Sequence, residues 1–218
     1  MIPSEKANPG IKQFFMPTRV LQDLPADRSY KLLDIGAAKE RYLAGFLPKN
    51  IKYHGQDIAG NQEHNFDLNK FPYPLKDGQF DIIVCLETLE HTVYPHKVMQ
   101  ELKRIAKPDA LFFLSMPNEY NFYCRLNFLF GKKTSMQLPP FGVVERMGHI
   151  QTPRVKDILD FFSGYMDIKE IDYRWHSRSS VHGKSRFVKE TSIIIDRLID
   201  NLAKAYPSLF ARVVVVRN

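Results

Sequence analysis

The stretch KLLDIGAAKERYLAGFL, residues 31–47, decides the fold class. Residues 30–36 form a short apolar run that predicts a buried strand, and residues 39–47 carry apolar positions at helical spacing. A strand, a sharp turn and a helix in this order usually serve a Gly-rich loop beneath a nucleotide. Because only Gly36 stands in the turn, the stretch predicts either a cofactor loop with unusual residues or the remnant of one.

The rest of the chain alternates between strand-like and helix-like segments. Apolar runs predict strands at 51–58, 64–68, 79–86 and 110–117, with two late strands at 166–175 and 210–218. Amphipathic spacing predicts helices at 11–24, 95–107, 154–165 and about 187–205. This alternation is typical of an α/β protein with a parallel sheet, and the two late strands suggest an antiparallel finish. In such sheets, ligands bind beyond the carboxyl ends of the strands.

The composition is typical of a single globular domain. The chain has 218 residues, 44% of them hydrophobic, which suffices for one well-buried core. We find no apolar window of about 18 residues and no secretion signal at the N-terminus. The two cysteines, Cys85 and Cys124, lack metal-type spacing. We therefore expect a cytoplasmic enzyme or binding domain, with Cys85 reduced and buried in a strand.

The net charge of +7 is unevenly distributed. Residues 31–118 carry eleven basic and eleven acidic side chains, whereas residues 119–156 carry six basic and two acidic ones. Residues 173–218 carry nine basic and three acidic side chains. The excess is either a solvated surface or a contact for an anionic partner, such as a phosphorylated acceptor, a lipid headgroup surface or nucleic acid.

Acidic side chains follow the predicted strands. Asp34, Asp57 and Asp67 follow the first three strands, CLETLEH (85–91) follows the fourth, and SMPNEYNFY (115–123) follows the fifth. A pyrophosphate prefers backbone donors and positive charge, so this acidic edge argues against a dinucleotide. It suits a ligand with ribose hydroxyls and an amino group, because one carboxylate accepts from two adjacent hydroxyls.

Several stretches together resemble the class I S-adenosylmethionine-dependent methyltransferases, in particular the group that includes the ubiquinone-biosynthesis O-methyltransferases. The matching stretches are LLDIGAA, YHGQDI, FDLNKFPYPLKDGQFDIIVCLETLEHTVYPHKVMQELKRIAKPDALFFLSMPN and GHIQTPRVKDILDFFSGY, which span roughly residues 30–165. The resemblance implies a Rossmann-like seven-stranded sheet with helices on both faces. It also implies that the sheet is mostly parallel, with an antiparallel last strand.

The resemblance also implies which residues bind the cofactor. In chain order they are Asp34, Gly36, Ala38, Asp57, Ile58, Asp67, Leu68, Cys85 and Leu86. Asp57 matches the acid that binds the ribose, and Asp67 with Leu68 matches the pair at the adenine amino edge. Cys85 and Leu86 match positions whose carbonyls approach the methionine amino group. The structural alternatives are that Asp34 caps a helix and that Asp67 is a turn residue.

The loop departs from the family pattern at two positions. The family usually has three glycines where this chain has Gly36, Ala38 and Glu40. Ala38 is tolerable if its backbone does not need a positive φ. Glu40 suits the start of a helix and would repel a pyrophosphate, but not a cofactor with a sulfonium and an ammonium group. The loop therefore argues against NAD, and it leaves open a non-catalytic protein that has lost its cofactor.

The segment ETLEH predicts an acceptor-activating site. If the turn is helical, Glu87, Glu90 and His91 lie on one face. This arrangement resembles one that some ubiquinone-pathway O-methyltransferases and small-RNA 2′-O-methyltransferases use to hold a divalent ion, with His149 as a possible fourth ligand. The ion would be Mg²⁺, Mn²⁺ or Zn²⁺. Alternatively, His91 or His149 is a general base, or both histidines are structural.

Residues 118–149 predict a lid over the acceptor, because an aperiodic segment of this length is unusual unless it is functional. Its candidate wall residues are Tyr120, Phe122, Tyr123 and Phe128. The alternatives are an amphipathic helix packed in the core or on a second subunit, and a membrane-surface helix. We thus expect one domain, 1–218, with a helical segment (1–29), a cofactor-binding core (30–117), the lid and a C-terminal half (150–218).

The sequence as a whole predicts a methyltransferase that uses S-adenosylmethionine. We expect transfer to an oxygen of a small, lipid-linked or glycan-linked acceptor, with a nitrogen as the less favoured alternative. One alternative is an RNA 2′-O-methyltransferase, which the basic excess favours, although no RNA-binding module is recognisable. The other is a methyltransferase-fold protein without activity.

Overall fold

The computed structural model describes residues 9–60, 62–132, 148–175 and 186–218, apart from the side chains of 9–11, 186–194 and 196. Seven strands form one sheet. Their bounds are β1 Tyr30–Ile35, β2 Ile51–Asp57, β3 His64–Asn65, β4 Phe80–Cys85, β5 Ala106–Pro117, β6 Glu170–Arg174 and β7 Val213–Arg217. Their spatial order is β3-β2-β1-β4-β5-β7-β6. Only β7 runs antiparallel to its neighbours, which confirms the predicted sheet.

The strand order reverses between β1 and β4. β1 pairs with β2 on one side and with β4 on the other, so that Ile35 lies opposite both Gln56 and Cys85. The residues that directly follow β1 and β4 therefore lie side by side at the carboxyl edge of the sheet. This reversal point is where open α/β sheets bind their ligands.

Helices cover both faces of the sheet, as predicted. Their bounds are α1 Phe15–Gln22, α2 Pro95–Ile105, α3 Phe122–Leu129, α4 Val155–Ser163, α5 Arg186–Ala205 and α6 Pro207–Phe210. One core cluster packs Ile83 with Val98 of α2 and Ile158 of α4. The other packs Ile82 with Leu21 of α1. Successive side chains of β4 point to opposite faces, so this fully buried strand contributes to both clusters.

The loop after β1 differs from the prediction because no α-helix follows it. The predicted helix at 39–47 is wrong: the chain forms only a short 3-10 helix, Tyr42–Phe46. Ala38 and Arg41 have φ values of 51° and 47°, a left-handed conformation that interrupts a right-handed helix and costs an L-residue about 1–2 kcal/mol. Glu40 therefore does not lie at the start of an α-helix, and the argument from the helix dipole does not apply.

Smaller differences occur at the boundaries. α3 lies in the segment that was expected to be irregular, where the Asn121 side chain caps it by accepting from the Cys124 N–H at 3.2 Å. α6 takes the first position of the strand predicted at 210–218, and β5 begins earlier than predicted, at Ala106. Part of the predicted lid, 133–147, lies outside the described residues.

In the described part of the chain, no helix is both long and apolar enough to span a bilayer. The division of the domain into a helical segment, a core, a lid and a C-terminal half stays a prediction.

Candidate functional site

The turn after β1 requires glycine at position 36. Gly36 has a φ of 71°, and a Cβ there would lie 2.9 Å from Cγ2 of Thr88 and closer still to its hydroxyl. The Thr88 hydroxyl lies 3.0 Å from the Leu86 carbonyl and 3.3 Å from the Ile35 carbonyl, to which it can donate. The turns after β1 and β4 therefore pack directly against each other.

Asp34 is buried in β1 at the base of this loop. Its carboxyl accepts a hydrogen bond from the Tyr53 hydroxyl at 2.9 Å. Burial raises its pKa to about 7, although the Tyr53 hydrogen bond and the Arg41 charge oppose the shift and the nearby Asp57 charge adds to it. Asp34 does not cap an α-helix, since none follows the strand.

Asp57 ties the loop to the end of β2. One carboxylate oxygen accepts from the Ala38 N–H and the other from the Ala59 N–H, both at 3.0 Å. Each oxygen of a carboxylate accepts more than one hydrogen bond, so this side chain can still accept from a ribose. The next side chain, Ile58, is 68% exposed and is therefore accessible to a ligand.

Further residues hold the loop, and the sequence analysis did not predict them. Arg41 forms an ion pair with Glu63 at 2.6 Å, and Glu63 accepts from the Gly55 N–H at 2.9 Å. Gln62 donates to the Ala38 carbonyl at 2.5 Å. Although burial opposes it, the Gly55 hydrogen bond and the Arg41 ion pair lower the pKa of Glu63 to about 2. We call this set of contacts the loop clamp.

The other predicted cofactor residues have defined local roles. Asp67 accepts from the Asn69 N–H at 2.9 Å. This is the contact expected if Asp67 is a turn residue. Leu68 is partly buried against the core. Cys85 and Leu86 are buried, and burial raises the pKa of the Cys85 thiol. The role of these four residues in cofactor binding stays a prediction.

Glu87 is oriented differently from the prediction. It has a φ of 51° and precedes the helical turn, a 3-10 helix at Leu89–His91. Its N–H donates to the Ser115 hydroxyl at 2.9 Å, and that hydroxyl donates back to the Glu87 carboxylate at 3.0 Å. Glu87 therefore does not share one helical face with Glu90 and His91.

Glu90, His91 and His149 form a compact group. Their potential ligand atoms all lie within 4.8 Å of one another. Glu90 is fully buried, and within the described part of the chain neither of its carboxylate oxygens has a hydrogen-bond partner. The Nε2 atoms of His91 and His149 lie 3.8 and 3.9 Å from the nearer oxygen. Burial raises the pKa of Glu90 well above its usual range, and the charges of Glu87 and Glu119 add to the effect.

Both histidines are held through their other ring nitrogen. His91 Nδ1 lies 3.0 Å from the Gly148 carbonyl, and His149 Nδ1 contacts the Glu119 carboxylate. A carbonyl only accepts, so His91 Nδ1 carries the proton and its Nε2 is free to bind a ligand. Burial lowers the pKa of His91, and the neighbouring His149 adds to this although the Gly148 carbonyl opposes it. We call Glu90, His91 and His149 the Glu-His-His group.

Sequence reasoning missed Glu119, although a signal was present. Glu119 lies directly beyond β5, in the segment 115–123 that follows a strand. Its side chain is buried, whereas the four candidate wall residues are exposed. These are Tyr120, Phe122, Tyr123 and Phe128, at 44%, 50%, 55% and 81%.

The comparisons with known proteins agree with this architecture. The sheet order and the ligand edge define the fold of the class I S-adenosylmethionine-dependent methyltransferases. A family profile described as "Methyltransferase domain" matches residues 11–184. The chain therefore belongs to the methyltransferase-domain family, whose cofactor is S-adenosylmethionine.

Individual relatives match over shorter regions. A ubiquinone biosynthesis O-methyltransferase from Glaesserella parasuis serovar 5 (strain SH0165) is 48% identical over 40 residues, which are 18% of this chain and 17% of that protein. A protein of the same name from Pseudomonas paraeruginosa (strain DSM 24068 / PA7) is 40% identical over 65 residues, 30% of this chain and 28% of that protein. The matches thus span less than a third of each relative.

Solved structures share the fold over the whole domain. A SAM-dependent methyltransferase from Archaeoglobus fulgidus has a TM-score of 0.52 and 17% identity, and the alignment covers 97% of this chain and 95% of that one. At this identity the similarity shows the fold alone. The acceptor must therefore be argued from the side chains at the carboxyl edge.

Proposed function

We propose that the protein transfers a methyl group from S-adenosylmethionine to a hydroxyl oxygen of a small, lipid-linked or glycan-linked acceptor. One observation supports an oxygen rather than a nitrogen as the methyl acceptor. The buried Glu90 carboxylate lies close to the Nε2 atoms of His91 and His149, an arrangement that can activate a hydroxyl group. The names of the two relatives, both O-methyltransferases, support the same choice.

The cofactor side of the site fits S-adenosylmethionine. Gly36 forms the tight turn, Asp57 retains acceptor capacity for the ribose hydroxyls, and Ile58 offers an exposed apolar surface. Asp34 and Asp57 are close enough for their charges to interact, which favours a positively charged ligand over a pyrophosphate. When bound, the cofactor supplies a methyl group on a sulfonium leaving group, and the protein supplies position and exclusion of water.

The Glu-His-His group fits a divalent metal ion. Ligating histidines in metal sites almost always donate their second ring N–H to a carbonyl or a carboxylate, and both histidines here have such a partner. Two imidazoles with one carboxylate suit Zn²⁺ or Mn²⁺ better than Mg²⁺. Glu90, His91 and His149 would hold the ion, which lowers the pKa of a bound hydroxyl group. Glu87 is not among the three clustered ligand residues, and one of its carboxylate oxygens accepts from the Ser115 hydroxyl at 3.0 Å.

The chain's own residues present and restrain these groups. Glu119 keeps the His149 ring oriented with Nε2 toward Glu90, and the Gly148 carbonyl does the same for His91. The arrangement would also serve metal-free catalysis. In that case Nε2 of His149 accepts the hydroxyl proton, and Glu119 stabilises the imidazolium that forms.

Calorimetry on the purified protein tests both halves of the site. We expect micromolar binding of S-adenosylmethionine, and binding of Zn²⁺ or Mn²⁺ by protein that has been treated with EDTA and desalted. Glu90→Gln and His149→Ala should weaken metal binding by at least about tenfold and leave cofactor binding within a few-fold of wild type. His96→Ala is the matched control, because His96 is exposed on α2, outside the Glu-His-His group.

The outcomes separate the alternatives. Absence of cofactor binding at millimolar concentration would contradict a methyltransferase function. Cofactor binding without metal binding would contradict the ion and favour His149 as the base. Tight, salt-dependent binding of single-stranded RNA would favour an RNA acceptor over a small one.

A further inference from the structure

Three consecutive large apolar side chains are exposed at the end of α3. Phe128, Leu129 and Phe130, which we call the α3 tip, are 81%, 76% and 68% exposed. Successive helical residues are about 100° apart, so these side chains point in different directions around the helix end. A protein groove contacts one side of a helix, through anchors three or four residues apart. A fluid apolar medium can contact the whole tip.

The start of α3 lies against α6, and α5, which leads into α6, is apolar on its exposed surface. Phe122 of α3 packs against Phe210 of α6, with ring centroids 6.1 Å apart. In α5 and directly after it, Leu198, Leu202 and Tyr206 recur at helical spacing and are 60%, 39% and 63% exposed. Single exposed apolar residues are common, but groups of them mark interaction surfaces.

Among the side chains that the structure describes on α3 and α5, the exposed charged groups are all positive. Arg125 and Lys132 on and after α3, and Arg197 and Lys204 on α5, are exposed. Residues 120–132 contain no acidic side chain. In α5, among the side chains that the structure describes, the one acidic group is Asp200, which is buried. An apolar tip next to the cations Arg125 and Lys132 complements an anionic lipid surface.

We propose that the α3 tip docks the protein on an anionic phospholipid bilayer. Phe128, Leu129 and Phe130 enter the boundary between headgroups and acyl chains, and Arg125 and Lys132 contact the lipid phosphates. Apolar burial and electrostatic attraction act together in such interfacial binding. Glu119 lies three residues before the first residue of α3 and contacts His149, so docking would also bring the Glu-His-His group near the membrane surface.

Co-sedimentation of the full chain with vesicles tests the docking without cofactor or acceptor. We compare vesicles of pure phosphatidylcholine with anionic vesicles in which about one lipid in three is phosphatidylglycerol. We expect at least about tenfold stronger binding to the anionic vesicles, weakened by salt. The triple variant Phe128→Gln/Leu129→Gln/Phe130→Gln should lose at least about tenfold of this affinity, whereas Ile171→Thr, at an exposed apolar position on β6, should not.

A fluorescent variant provides a second measurement. In Phe128→Trp, the tryptophan emission should shift to shorter wavelength when anionic vesicles are added. The wild type, whose only tryptophan is Trp175, gives the background signal. Equal binding to both vesicle types, or no emission shift, would overturn the proposal. So would a dimer that the triple variant converts to a monomer, because the tip would then be a contact between copies. None of these results depends on methyl transfer.

Discussion

The carboxyl edge of the sheet has two sides, the cofactor flank around the loop after β1 and the acceptor flank around the Glu-His-His group. The carboxylates of these two flanks differ in their hydrogen bonding. On the cofactor flank, Asp34 accepts from Tyr53, Asp57 from two backbone N–H groups, and Glu63 from Gly55 and Arg41. On the acceptor flank, the fully buried Glu90 carboxylate has no hydrogen-bond partner among the residues that the structure describes. Burial of an unpaired carboxyl group costs free energy, which supports the proposal that Glu90 binds a cation.

This difference indicates which flank is preorganised by the protein alone. The loop clamp and Asp57 fix the loop after β1 although two of the usual glycines are missing. The cofactor flank should therefore keep its shape without ligand. The acceptor flank holds its two histidines in position and should gain stability when a cation neutralises Glu90.

The largest effect is expected from Gly36→Ala on the cofactor flank. The new methyl group would overlap the Thr88 side chain, and alanine would have to adopt a φ of 71°. Overpacking and a left-handed φ together should cost about 4 kcal/mol of unfolding free energy and abolish cofactor binding. Chemical denaturation measures the loss. Gly45→Ala is the matched control, since its Cβ would meet no atom within 4 Å; equal losses in both variants would refute the packing argument.

Asp34→Asn should stabilise the protein at alkaline pH. The folded-state pKa of Asp34, about 7, lies above its ordinary value of 3.8, so the folded protein binds this proton more tightly than the unfolded chain. Stability is therefore lost as pH rises from about 4 to 7. Asparagine cannot ionise, so the variant should gain on the order of 2 kcal/mol over wild type at pH 8 and little at pH 4. Denaturation curves at both pH values measure this; a constant difference between the two proteins would contradict it.

On the acceptor flank, Glu119 should act by positioning His149. Glu119→Ala removes the acceptor for His149 Nδ1 and should weaken metal binding by about 10-fold to 100-fold, as for other outer partners of metal ligands. Glu119→Gln retains an acceptor and should recover part of the loss. Calorimetry with Zn²⁺ measures both variants, and NMR of the ring nitrogens reports the His149 tautomer. Identical affinities with a changed tautomer would show that Glu119 does not position the ligand.

The sequence predicted the sheet and most of the helices because these depend on periodic apolar patterns. The fully buried β4 and the amphipathic α2 and α4 are examples. The spacing of ETLEH predicted that Glu90 and His91 lie on one face, and the family resemblance added His149. The structure brings the three side chains together, and their role as metal ligands stays a prediction. No local pattern relates His149 to Glu90, because they are far apart in the chain.

The features that the sequence did not predict depend on backbone conformation or on distant contacts. Nothing in the apolar pattern of 39–47 shows that Ala38 and Arg41 are left-handed. The partner of Arg41 is Glu63, from beyond the next strand, and the contact between Gly36 and Thr88 joins two strand ends. Such contacts follow from the folded geometry and leave no periodic signal.

The smallest effect concerns the missing glycine of the cofactor flank. At an ordinary exposed position Ala→Gly costs about 0.5–1 kcal/mol because glycine is more flexible in the unfolded chain. At Ala38, with a φ of 51°, this loss is offset by relief of about 1 kcal/mol of left-handed strain. Ala38→Gly should therefore change stability by less than about 0.5 kcal/mol, whereas Ala44→Gly, in the short 3-10 helix of the same loop, should show the usual loss. Thermal denaturation of both variants measures the difference. An equal loss at both positions would mean that the loop clamp does not hold Ala38 in this conformation in solution, and that the cofactor flank is less preorganised than its hydrogen bonds indicate.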